Sequence, residues 1–188
     1  MSQRQIAQEL ECNFNSSGET VIHSTDMERL NNSIQPPQYK TGFDRSFWLW
    51  EQYQPECNYL LVADVARGDG SDYSVFHLIK LQTMEVVGEY QGKPSLSEFA
   101  TLLNNTGREF GNCLLVVENN SLGISVLEKL QEMEYNNLYY SEKGSHNYAA
   151  PTEAYRDNVV PGFTTSSKTR PLIIAKLEEF IRNKLIIL

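Results

Sequence analysis

The stretch NYLLVADVARGDGSDYS, residues 58–74, decides how the rest of the chain is read. Tyr59-Leu60-Leu61-Val62-Ala63 is an apolar run far too short for a membrane span. A short run of bulky residues closed by Gly and Asp reads as a buried strand. The run delivers a carboxylate, Asp64, where it ends. A turn rich in Gly and Asp follows, Arg67-Gly68-Asp69-Gly70-Ser71-Asp72, and then a second apolar stretch from Tyr73 to Leu81. Acids at the rim of a rigid sheet either bind a divalent cation or grip the metal-phosphate end of a nucleotide.

Outward from this stretch the spacing predicts strands over 58–65, 73–82 and 85–91, an antiparallel meander. Ser95 and Glu98 form a capping box, and Leu96, Phe99, Ala100 and Leu103 supply the apolar face of a helix that ends near Gly107 to Gly111. Cys113-Leu114-Leu115-Val116-Val117 is continuously apolar and ends in Glu118. That pattern predicts a central strand covered on both faces. Ile124, Leu127, Leu130 and Met133 mark a second helix, and Leu138-Tyr139-Tyr140 a fifth short strand. Residues 141–168 read as a long polar loop of the kind that carries function. A third helix is expected after Lys168-Thr169-Arg170-Pro171.

The first fifty-odd residues are too sparse in apolar periodicity for a core of their own. A helix over 2–11, a polar loop over 12–22 and a capped helix starting at Thr25-Asp26-Met27-Glu28 are expected there. Residues 1–55 read as a linker arm, and 56–188 as the domain. The aromatic group Phe43, Phe47, Trp48, Trp50 and Tyr53 reads mainly as packing of that arm onto the domain, with stacking on nucleobases as the second reading. The closing run Leu185-Ile186-Ile187-Leu188 is strand-like and uncapped, and reads as a chain cut short.

Composition narrows the classes. The chain has 188 residues, is 40% hydrophobic and 21% charged, and has a net charge of −8. It is globular, and no apolar run approaches the ~18 residues of a membrane helix. Cys12, Cys57 and Cys113 form no CxxC pair, which excludes a zinc ribbon, and no secretory signal core opens the sequence. A cytoplasmic protein is expected. The negative charge argues against a generally basic nucleic-acid binder, although a carboxylate site is acidic until cations fill it. His23, His77 and His146 cluster with nothing in sequence.

The order ββ-β-α-β-α-β is the ribonuclease H-like topology, an α/β mixed sheet flanked by helices. If the first and fourth strands are parallel neighbours, Asp64 and Glu118 share one edge of the sheet. Two carboxylates that close repel and call for cations between them. A pair of divalent ions can clamp the attacking water and the leaving oxygen of a phosphodiester. Asp72 either reaches a metal through water or bonds the turn backbone. Asp69 reads as a turn residue. Asn119 and Asn120 either cap the next helix or steer a water, and Lys168 and Arg170 are either solvated or phosphate contacts.

VADVARGDGSDYSVF with LLVVENNSLGISVLEKL resembles the nuclease domain of the large terminase subunit of tailed bacteriophages. The matching positions are Asp64, Asp72-Tyr73, Glu118-Asn119-Asn120 and Gly123. Lys168-Thr169-Arg170 with the helix after it, and IAQELECNFNSSGETVI near the start, resemble further parts of that family. The resemblance implies Asp64 and Glu118 as metal ligands and catalytic acids, and Asp72 as an auxiliary acid. Lys168, Arg170 and Asn119 are candidate DNA contacts on the reading of the residues themselves. The resemblance also implies two Mg2+ or Mn2+ ions and cleavage of concatemeric double-stranded DNA during genome packaging. The implied partners are an ATPase domain, the portal and the small terminase subunit, in the host cell cytoplasm and away from any membrane. No GxxxxGK[ST] occurs, so no ATPase motor is encoded here. The family's third acid is expected beyond Leu188, and a nuclease crippled by truncation is the consequent expectation. Two other classes stay open: a ribonuclease H-like module that only binds, and an actin-like or sugar-kinase phosphate-binding domain. The latter fits poorly, because position 66 is Ala where an Asp-x-Gly is expected.

Overall fold

The computed structural model describes residues 21–42, 45–68, 70, 72–143, 147–149, 154 and 157–188. The expected helix over 2–11 and loop up to residue 20, together with Cys12, Phe43, Asp69 and His146, lie outside the described residues. The elements are α1 (Ser24–Ser33), β1 (Tyr39–Thr41), β2 (Phe47–Leu49), β3 (Tyr59–Asp64), β4 (Ser74–Lys80), β5 (Glu85–Gly92), α2 (Leu96–Glu109), β6 (Leu114–Val117), α3 (Gly123–Glu132), β7 (Tyr140–Glu142), β8 (Tyr148–Ala149), β9 (Val159–Pro161) and α4 (Thr169–Arg182).

A six-stranded sheet runs in the order β1-β2-β5-β4-β3-β6. Strand β3 joins the two parts of the sheet: it pairs antiparallel with β4 and parallel with β6. The meander β3-β4-β5 and the parallel return to β6 give the ribonuclease H-like α/β arrangement that the sequence predicts. Period-two alternation sets the faces. Tyr59, Leu61 and Ala63 on β3, Phe76 and Leu78 on β4, and Leu115 and Val117 on β6 are buried. The buried face packs under α2 and α3, whose Phe99, Ala100, Leu103, Val126, Leu127 and Leu130 complete one core. Phe76 stacks on Tyr90 at 5.3 Å and meets the edge of Phe47 at 5.1 Å. Each such side chain contributes about 1.5–3 kcal/mol of burial.

The capping box of α2 forms as predicted. The Ser95 N–H donates to Glu98 Oε2 at 2.8 Å, and the Glu98 N–H to Ser95 Oγ at 3.3 Å. Hydrogen bonds from the Ser95 hydroxyl and then the Ser95 N–H hold the Glu98 carboxyl below the ordinary range. The cap of α1 falls elsewhere: His23 Nδ1 accepts the Thr25 N–H, two residues before the expected start.

Four expectations change. Residues 39–49, read as part of the linker arm, form the outer strands β1 and β2; Phe47 and Leu49 are buried in the core. Isolated pairs of strands look sparse in sequence because their partner, β5, lies some forty residues away. Second, β6 is the last strand of the six, and its outer face is only half-covered. Its outer edge is bonded by single bridges, Leu115 to Leu138 and Glu118 to Phe163. A run of apolar residues reports burial of side chains and says nothing of which edges are paired. Third, Leu138 makes only that bridge, and Tyr140 starts a separate three-stranded sheet, β8-β7-β9. Fourth, the segment read as a polar loop, 141–168, holds β8 and β9 of that sheet.

Helix α4 buries Ile181 and leaves Leu172, Ile173, Ile174 and Leu177 exposed. Arg29 of α1 donates from Nη2 to the Ile181 carbonyl at 2.6 Å. Past α4, Ile187 bridges parallel to Glu85 at the start of β5. Among the described residues no helix is long and apolar enough to cross a membrane.

Candidate active site

Asp64 closes β3, and Glu118 follows β6 by one residue. The parallel register matches Ala63 with Val117, and the Glu118 N–H donates to the Ala63 carbonyl at 3.0 Å. Both carboxylates therefore leave neighbouring strands at the same edge and on the same face, roughly 4.8 Å apart at the backbone. Each side chain lies within the other's influence. Two carboxylates bond to each other only if they share a proton or a cation. Partial burial of Asp64 pushes its carboxyl above the usual range, and the hydrogen bond and charge of Glu118 push the same way. The Val65 N–H and the positive charge of Arg170 pull in the opposite direction.

The segment after β6 is built to hold Glu118. Asn120 Nδ2 donates to Glu118 Oε1 at 2.9 Å and to the Thr165 carbonyl at 3.1 Å. Gly123 starts α3 directly against this turn: a Cβ there would stand 1.7 Å from the Glu118 carbonyl oxygen. Ser121 takes a left-handed φ of 47° to make the corner. Gly162, at φ +80°, lets the 161–164 segment lie on β6, where a Cβ would meet the Val117 carbonyl oxygen at 2.5 Å.

Asn119 faces that segment. Its Nδ2 donates to the Pro161 carbonyl, and Thr164 Oγ1 donates to its Oδ1, both at 2.9 Å. Its amide is thus consumed in bracing. The 163–166 segment then leads into α4, where Ser166 Oγ accepts the Thr169 N–H at 3.1 Å. This path brings Arg170 into the field of Asp64. Lys168 is exposed at the start of the same helix.

The turn after β3 is fastened at both ends. Ser74 Oγ accepts the Ala66 N–H at 3.0 Å, and Lys93 Nζ donates to the Gly70 carbonyl at 2.9 Å while lying over the Tyr73 ring. Asp72 is exposed on this turn. Among the described residues, no three His, Cys, Asp or Glu side chains converge closely enough to hold an ion. Asp64 and Glu118 are brought together as a pair, and Asp72 stands outside any such cluster. Asn120, read from the sequence as a helix cap or a water-steering residue, holds Glu118 instead, and Lys93 is the positioning residue that the sequence did not single out. Asn120 carried a weak signal, two residues after an acid; Lys93 carried none, being 23 residues from its acceptor.

No protein-family model and no curated protein sequence matches the chain. Its fold is that of the nuclease domains of phage large terminases. The large terminase nuclease of the thermophilic phage G20c with bound magnesium superposes with a TM-score of 0.61 at 18% identity, covering 86% of this chain and 72% of that one. The same nuclease with bound zinc gives 0.60 at 18% identity, with 87% and 80% covered. The large terminase nuclease domain of Thermus phage P74-26 gives 0.59 at 19% identity, with 86% and 70% covered.

Proposed function

We propose that this chain is the nuclease domain of a phage DNA-packaging terminase, a metal-dependent endonuclease that hydrolyses phosphodiester bonds of double-stranded DNA. The observation that carries the reading is the Asp64–Glu118 pair at one edge of two parallel strands, with the charge of Arg170 beside it. The donor set fits a hard divalent cation. Carboxylates on two neighbouring strands offer hard oxygen ligands, and Mg2+ or Mn2+ keeps waters in its remaining positions. The G20c nuclease was solved with magnesium, zinc and cobalt, in keeping with such a site. When bound, the ion polarises the phosphodiester and lowers the pKa of a bound water, and a second ion would do the same for the leaving oxygen.

The chain's own residues then divide the work. Asp64 and Glu118 are the metal ligands and catalytic acids. Asn120 fixes the rotamer of Glu118 and leaves its second oxygen for the ion. Arg170 neutralises a non-bridging phosphate oxygen, and Lys168 adds a further contact with the DNA backbone. Asn119 keeps the 161–164 segment against β6, so that α4 starts in the right place. Asp72 is an auxiliary acid acting through water. The partners of this reading are duplex DNA, the ATPase domain, the portal and the small terminase subunit, in the host cytoplasm. Residues before β1 act as the link to the ATPase domain.

The test is cleavage of supercoiled plasmid in Mg2+ or Mn2+ by this chain and by Asp64→Ala and Glu118→Ala. Nicking that vanishes in both variants supports the reading. A second reading, a module that binds DNA without cutting it, is favoured by the convergence of only two acids among the described residues. Tight DNA binding with no cleavage under either metal would bring it forward.

A further inference from the structure

The half-open face of the large sheet carries a second feature. A groove of about 670 Å³ is lined by Lys40, Arg45, Ser46, Trp48, Glu89 and Gln91. Register fixes its place relative to the acids. Val75 pairs with Asp64 on one side and Gln91 on the other, so Gln91 stands in the row of Asp64, two strands away. Trp48 pairs with Glu89, and Lys40 with Trp48, one and two strands further out. Ala63, Phe76, Tyr90 and Phe47, the alternate residues of these strands, point the other way into the core. The groove and the acid pair thus share one face. A strand spacing of about 4.8 Å sets Gln91 roughly 10 Å, Trp48 roughly 14 Å and Lys40 roughly 19 Å from Asp64 across the sheet, with Trp48 and Lys40 in the row of Val62, two residues along the strands.

The lining is cationic and flat. Lys40 Nζ lies 3.9 Å from the Trp48 ring centroid. Trp48 Nε1 donates to the Arg45 carbonyl at 3.1 Å, which fixes the ring as a platform while 38% of the residue stays exposed. Lys40 and Arg45 are both exposed. The acid of the lining, Glu89, has His77 Nε2 at 3.5 Å. Two cations and an aromatic face open to solvent stand out in a chain of net charge −8. They complement a polyanion, and an offset of roughly 14–19 Å matches about four to six nucleotides at a rise of ~3.4 Å per nucleotide.

We propose that Lys40, Arg45 and Trp48 form an outlying duplex-DNA site that grips the sugar-phosphate backbone about four to six nucleotides from the phosphate held at Asp64 and Glu118. The site rests on the nuclease reading for its distance to the cut, and stands on its own as a DNA contact. Lys40 and Arg45 neutralise backbone phosphates, and Trp48 braces Lys40 against the sheet.

Binding of a short fluorescein-labelled duplex, followed by anisotropy without divalent metal, tests it apart from cleavage. The double variant K40A/R45A is expected to bind at least about tenfold more weakly, and its slope of log K against log salt to fall by roughly two. K40Q alone should lower the slope by roughly one. K129A, on α3 behind the opposite face, should leave both unchanged. The site is overturned if K40A/R45A and K40Q bind as the parent does, if K129A weakens binding equally, or if the parent does not bind duplex at all. A parent that binds through the groove yet cuts under neither metal brings the binding-only reading forward and leaves the groove standing.

Discussion

Asn120 donates its side-chain amide to Glu118 Oε1 at 2.9 Å, and the same nitrogen reaches the Thr165 carbonyl at 3.1 Å. One amide thus ties an acid at the end of β6 to the segment that launches α4. Removing it frees the Glu118 rotamer without touching the core. Asn120→Ala is expected to cost about 1 kcal/mol of stability or less. Cleavage should fall by roughly tenfold or more, because misplacing a ligand costs rate steeply. The requirement for metal should also move to higher concentration. Plasmid cleavage titrated with Mn2+, beside a urea melt, reads both effects. Unchanged cleavage and metal dependence would show that the amide serves the backbone alone.

Without divalent metal, Asp64 should make the protein more stable in mild acid than at neutral pH. Its folded carboxyl titrates above the ordinary aspartate value of 3.8. The folded state therefore holds that proton more tightly than the unfolded chain. Stability from this group is complete below the ordinary value and is lost as pH rises through the raised one. Asp64→Asn should abolish that decline. Mg2+ or Mn2+ should raise the melting temperature of the parent and of Asp64→Asn unequally, with the parent gaining more. Thermal melts across pH, with and without metal, check the sign. A melting temperature that rises between mild acid and neutrality relative to Asp64→Asn would contradict it.

Arg170 acts on Asp64 from across the site, and its charge lowers that carboxyl. Arg170→Ala should let Asp64 rise further, so the acid limb of the pH–rate profile moves to higher pH. Loss of a phosphate partner should also raise KM. Arg170→Lys should restore the pH limb more fully than KM, since a lysine supplies charge without the planar fork. A profile that does not move in Arg170→Ala would remove the coupling.

Gly123→Ala tests whether α3 and Glu118 are locked together. The added Cβ has nowhere to go beside the Glu118 carbonyl oxygen, so the start of α3 must shift. Overpacking of this kind costs about 1–3 kcal/mol. Chemical denaturation should show that loss, and cleavage should drop even at temperatures where the variant is fully folded. A stable variant with full activity would mean that the turn yields freely.

Much of this was legible before any coordinates. β3, β4, β5 and β6, the capping box at Ser95 and Glu98, and the strand-end positions of Asp64 and Glu118 all follow from local pattern. Apolar runs, alternation and caps are governed by nearest neighbours in the chain, and those are written in sequence. What the tertiary structure alone decided is what depends on distant partners. β1 and β2 join the domain because β5 is there to pair them, although short strands far from their partner leave no periodic signal. Asn119 braces a segment more than forty residues away, and Asn120 serves Glu118. Arg170 reaches the field of Asp64 only because Gly162 lets the preceding segment lie on β6. The parallel register that sets Asp64 beside Glu118 is likewise a product of packing: each acid was visible alone, and their pairing exists only once two strands more than fifty residues apart lie side by side.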